Sequence, residues 1–223
     1  MKIQSILEII EPEVRSYDMA KRALGKYTKS SGDYDEGHFS RVEKDRDPHF
    51  VKKTSKDSER ATNDGYWFFI KNVVDSKLWE NPYFPRVYQF KKFAKEDGAH
   101  YRVQLEKLEE FSTLSKKEQF VIGRKIFGTS QLADRMNDED GGGFSTKLLI
   151  VDLIRNLYFG EVHVEGLDGD LVSAVKILRK MNTDGYEFDL SQYNVMVRRG
   201  PTGVHLVITD PFGYSFKFKS GTG

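Results

Sequence analysis

Past Gly37 the hydrophobic pattern of this chain changes period. Upstream, Ile6, Ile9, Ile10, Val14 and Tyr17 recur at helical spacing, interrupted at Pro12. Downstream, short alternating segments come in pairs: 39–42 with 49–52 across an Asp45-Arg46-Asp47-Pro48 turn, 86–90 with 100–105, and 194–198 with 204–208. Between and after the pairs lie helical stretches at 66–74, 116–136, 146–158 and 170–181, with a glycine-rich loop at 137–143. Strand pairs segregated from helices predict an α+β protein with a strand-rich N-terminal part and a helical C-terminal part. The expected division is a helical segment over 1–24, a strand-rich unit over 25–108 and a second unit over 109–223, the boundary falling near 106–113.

Composition narrows the function classes. Thirty-five Lys+Arg against thirty-four Asp+Glu give a net charge of +1, so a phosphate-backbone grip is not expected and no nucleic-acid partner is predicted. Cysteine is absent, which removes disulfides, thiolate zinc sites and thiol nucleophiles together. The hydrophobic fraction is 38%, but aromatics make up 13% and bury much area per residue, enough for a core. Acidic Glu8 and Glu11 interrupt the first apolar run, and no run reaches the roughly 18 residues of a bilayer span. The expectation is a soluble, unexported protein with no membrane partner.

The chemistry is concentrated in 184–213. Asp189 and Asn194 stand five apart, and sixteen residues after Asn194 comes Asp210-Pro211-Phe212-Gly213. Phosphoryl transfer needs a carboxylate to orient the attacking hydroxyl and oxygen ligands to hold Mg²⁺ on a triphosphate. Asp189 is the candidate base. Asn194 and Asp210 are the candidate metal ligands, brought side by side if 195–208 folds as a hairpin. A bare Asp-x-x-x-x-Asn is a weak signal, and such residues commonly serve turns and caps. The later Asp at the mouth of a hairpin strengthens it.

Other elements fall in the order a kinase requires. Gly37, His38, Phe39, Ser40 and Val42 form a candidate nucleotide-covering turn, although only one glycine is present. On the next strand Phe50 and Lys52 share a face, Phe50 to roof adenine and Lys52 to reach phosphate, while Lys53 points the other way into solvent. The carboxylate partner of Lys52 is Asp64, with Glu59 second; both also suit a helix start. The backbone from Glu106 to Leu108 is the candidate hinge against adenine, and Met196 the candidate pocket floor or an ordinary core residue.

Gly37-His38-Phe39-Ser40, Val51-Lys52, Phe84-Pro85-Arg86-Val87-Tyr88, Phe188-Asp189-x-x-x-x-Asn194 and Ile208-Thr209-Asp210-Pro211 together resemble the early serine/threonine protein kinases of T-seven-like lytic phages, across roughly 24–213. The resemblance implies a bilobal protein-kinase-like fold with a small β-rich N-lobe and a reduced helical C-lobe. It implies ATP and Mg²⁺ as cofactors, Ser/Thr of host bacterial proteins as substrates, and the host cytoplasm as location. It also implies, in some members, silencing of host transcription. Self-phosphorylation is expected at Ser215 or Ser220. The chain departs from kinases at Ser191, where a Lys stands two after the catalytic Asp, and at Glu187-Phe188, where His-Arg precedes it. Only ten residues follow Gly213, so peptide recognition is expected from 117–170 or another subunit. Two alternatives compete with an active protein kinase. One is a kinase-fold protein that inhibits host transcription or another host enzyme by binding. The other is a small-molecule phosphotransferase akin to antibiotic kinases.

Overall fold

The computed structural model describes residues 34–36, 40–55, 63–129, 146–182, 185–201 and 203–215. The segment 1–24, the glycine-rich loop at 137–143, Gly37, His38, Phe39, Glu59 and Ser220 lie outside the described residues. Strands β1 (Tyr34–Glu36), β2 (Ser40–Lys44), β3 (Phe50–Ser55), β4 (Val87–Lys95) and β5 (Gly98–Glu106) form one antiparallel sheet in the order β1-β2-β3-β5-β4. The β2–β3 turn is closed by Phe50 N–H on the Asp47 carbonyl at 3.1 Å and by Asp47 Oδ1, which accepts from His49 N–H at 2.9 Å.

Helix α1 (Gly65–Asp75) packs against this sheet. Asp64 caps it, its Oδ1 accepting from the Tyr66 N–H at 2.9 Å. Apolar residues at Tyr66, Trp67, Phe69, Ile70 and Val73 give a wide buried stripe, with Trp67 stacked on Tyr101 of β5 at 5.8 Å between centroids.

After β5 the chain changes sheet. The short β6 (Glu109–Glu110) pairs with β8 (Val195–Gly200), and β8 pairs with β9 (Gly203–Ile208). Helices α2 (Lys116–Phe127), α3 (Thr146–Phe159) and α4 (Gly169–Met181) lie between, and β7 (Tyr186–Phe188) pairs with β10 (Phe212–Ser215). The described residues are therefore α+β, with a β-rich region and four helices. No helix among them is long and apolar enough to cross a membrane.

Two boundaries differ from expectation. Helix α2 stops at Phe127 rather than continuing to 136, because Gly128 takes φ +52 and sits against the Gly166 carbonyl, where a Cβ would come within 2.2 Å. The return is pinned by Thr129 N–H to Gly166 O and Asp168 N–H to Ile126 O, at 2.9 and 3.0 Å. Strand β4 runs on to Lys95, past its expected end at 90. Its extension, Lys91-Lys92-Phe93-Ala94-Lys95, lies on a sheet edge, where lysines guard exposed strands and mask the alternation.

Candidate functional site

The hairpin β8–β9 begins and ends at the site. Its closing pair is Val195 with Ile208, so Asn194 and Thr209 are neighbours. The Asn194 carbonyl accepts from both Thr209 N–H and Thr209 Oγ1, at 2.9 and 3.0 Å. Asp189 is drawn to the same place from the other side. Its N–H donates to the Pro211 carbonyl at 3.0 Å, and its own carbonyl accepts from Asn194 Nδ2 at 3.3 Å. Leu190, 1% exposed, anchors this loop in the core. Asp189, Asn194 and the Asp210 segment thus converge, as their spacing predicts.

Asp210 has one carboxylate oxygen, Oδ1, that is buried with no hydrogen-bond partner. Burial pushes its carboxyl up to about 7; Lys53 opposes the shift, and nearby Asp64 and Asp189 add to it. An enclosed carboxylate with a spare oxygen calls for a cation or a proton. The Asp210 carboxylate and the Asn194 side-chain amide each supply hard oxygen of the kind that Mg²⁺ takes. These residues fit the metal that the sequence suggests.

The lysine assignment is corrected. Lys52 forms an ion pair with Asp45 at 3.1 Å, and Asp45 also accepts from Gln104 Nε2 at 2.6 Å. This cluster lies on the sheet face away from α1. Lys53 is the lysine directed at the acidic residues. It retains partial exposure along its length, but its ammonium lies 3.2 Å from the centre of the Tyr66 ring. Burial holds that ammonium below the usual lysine range, opposed by Asp210 and Asp64. Its expected orientation into solvent is therefore wrong.

The same parity moves Phe50, which shares the Lys52 face and packs edge-on to Tyr88 at 4.4 Å. It faces away from Lys53, and the residues on the Lys53 face are Val42, directly across from Lys53 on β2, and Val51. Of the expected covering turn, Ser40 and Val42 stand on β2. Asp64 is buried at the helix start near Lys53; its carboxyl is raised by burial, with the Tyr66 N–H and Lys53 acting against that.

At the expected hinge, Glu106 N–H donates to Arg86 O at 3.1 Å and Lys107 N–H to His49 O at 2.8 Å. Those two amides are committed within the fold. The Glu106 side chain is a buried partner of Arg198, bonded to Arg198 Nε at 2.6 Å and to Arg198 Nη2. Leu108 and Met196 are half-buried, Met196 lying across from Glu110 and Val207.

Sequence reasoning missed Lys53, Tyr66 and two glycines. Gly65 packs so closely on the segment after Asp210 that a Cβ would fall 2.3 Å from Gly213 O and 2.6 Å from Phe212 Cβ. A Cβ at Gly213 would in turn meet Asp189 Cβ at 3.3 Å. Phe212, 3% exposed, meets Phe68, Phe69 and Phe188 through edge-on contacts. A glycine opening a helix of bulky aromatics was the available signal for such a close approach. No protein-family model matches the sequence, and no curated protein matches it either.

Proposed function

We propose that this chain is an ATP- and Mg²⁺-dependent serine/threonine protein kinase with a bilobal kinase-like fold, of the kind made early by T-seven-like phages to act on host proteins. The observation that carries the reading is the convergence of Asp189, Asn194 and an Asp210 with an unpartnered buried oxygen, beside the enclosed ammonium of Lys53. The strand order supports it too: a five-stranded antiparallel sheet with one helix passes through 107–110 to a helical unit that carries the Asp189 loop.

In this mechanism Asp189, exposed at the loop surface, orients the substrate hydroxyl and accepts its proton as the oxygen–phosphorus bond forms. The bond from the γ-phosphorus to the bridging oxygen breaks, and ADP leaves with that electron pair. Lys53 supplies positive charge to the phosphates. Asn194 and Asp210 would hold magnesium, which when bound neutralises the charge of the phosphate oxygens.

The test is transfer of radiolabel from ATP to a protein substrate or to the chain itself, with and without magnesium. Asp189→Asn and Asp210→Ala should each abolish it, and undiminished activity in both would reject the assignment. A second reading, inhibition of a host enzyme by contact, is favoured by Ser191. That side chain accepts from Tyr193 N–H as the cap of the Gln192–Asn194 turn, so no cation stands two residues after Asp189. It predicts a host complex that survives Asp189→Asn and no thermal shift with nucleotide.

A further inference from the structure

The carboxylate nearest in sequence to the start of α1 is already engaged, since Asp64 Oδ1 caps the helix through Tyr66 N–H. What touches the Lys53 ammonium is the face of the Tyr66 ring, 3.2 Å away at its centroid. Tyr66 is 3% exposed, and Trp67 meets it edge-on at 5.0 Å. Its hydroxyl is buried without a hydrogen-bond partner, so no hydrogen bond explains a tyrosine here and the ring is what the position supplies. The seat is fixed relative to Asp210, because the adjoining Gly65 lies in backbone contact with Phe212 and Gly213.

We propose that Tyr66 is the positioning residue for Lys53, its ring face seating the ammonium beside Asp210 where no carboxylate among the described residues pairs with it directly. This rests on the nucleotide-site reading above and names how that site aims its lysine. A desolvated cation over an aromatic face is held strongly. Unlike a carboxylate, the ring accepts no short N–H···O bonds, so it does not compete with phosphate oxygens for the three ammonium donors.

The seat can be read without nucleotide. In protein carrying ¹³C-lysine, the ring places the Lys53 Hε–Cε resonance upfield of solvated lysines, the signal being assigned by its loss in Lys53→Arg. Wild type and Tyr66→Phe should both show the displaced signal, and Tyr66→Leu should return it to the solvated position. Mg·ATP affinity should stay within about twofold in Tyr66→Phe and fall about tenfold in Tyr66→Leu. Activity at saturating ATP should fall less than that. A wild-type Lys53 signal at the solvated position overturns the proposal whether or not Tyr66→Leu folds. So does a Tyr66→Leu protein that keeps both the displaced signal and its affinity. If the signal behaves as expected but wild type binds no Mg·ATP, the seat stands and the nucleotide reading falls.

Discussion

Arg198→Met is expected to be the most damaging single change outside the candidate site. Arg198 and Glu106 keep only 10% and 9% of their side-chain surface. The guanidinium grips both carboxylate oxygens of Glu106. It also donates to Pro82 O at 3.1 Å and Phe84 O at 2.9 Å. One side chain thereby ties the end of β5, the turn before β4 and strand β8 together. Methionine fills much of the volume and supplies none of the donors. Glu106 would keep only the Arg86 N–H, at 2.8 Å to Oε1, and two carbonyls would lose a partner. Breaking a buried pair by removing one ion costs about 3–5 kcal/mol, mostly through the charge left behind. With an m-value of about 3 kcal/mol/M, that lowers the urea midpoint by roughly 1–1.7 M. The double variant Arg198→Met, Glu106→Leu should recover part of the loss, because the stranded charge is gone. A single variant within about 0.5 kcal/mol of wild type, or a double variant worse than the sum of the singles, would refute the reasoning.

Other expectations follow from the site. Gly65→Ala should destabilise by about 1–3 kcal/mol in the same assay, since the new methyl meets backbone carbonyls at 2.3 and 2.5 Å. The gain of about 1 kcal/mol in helix propensity is too small to reverse that sign. Asp210, raised to about 7, holds its proton in the folded chain where the unfolded chain has lost it. Without ligand, its contribution to stability is therefore full below pH 4 and fades as pH climbs towards 7. Asp210→Asn should flatten that part of a melting-temperature profile, while stabilisation by magnesium with ATP should strengthen in wild type as pH rises through 7. Lys53→Ala should weaken Mg·ATP binding at least tenfold and Lys52→Ala less than twofold, as measured by titration; the reverse order would restore Lys52 to the site.

The local code was legible wherever a residue's role depends on its chain neighbours. Alternation gave the strand pairs, the apolar stripe gave α1, α3 and α4, and the fifteen-residue return from Asn194 to Thr209 gave the hairpin that joins its ends. The α2 terminus also carried a signal, the glycine directly after Phe127, which the reading of 116–136 as one helix left unused. Lys52 and Lys53 show the limit. Alternation says that they oppose each other, yet it cannot say which face meets α1. That is decided by Val51 packing against the core on the inner side and by Asp45, held by Gln104, pairing with Lys52 on the outer.

By itself, the sequence determined an α+β arrangement, the convergence of Asp189 with Asn194 and Asp210, and the order in which the elements occur. The tertiary structure alone decided which lysine enters the site, that an aromatic ring receives it, and that Glu106 serves Arg198 through its side chain. Each of these depends on residues from thirteen (Lys53 and Tyr66) to ninety-two or more positions apart (Glu106 and Arg198) meeting in a desolvated space. There the energy of a charge is set by what surrounds it, which no local spacing records.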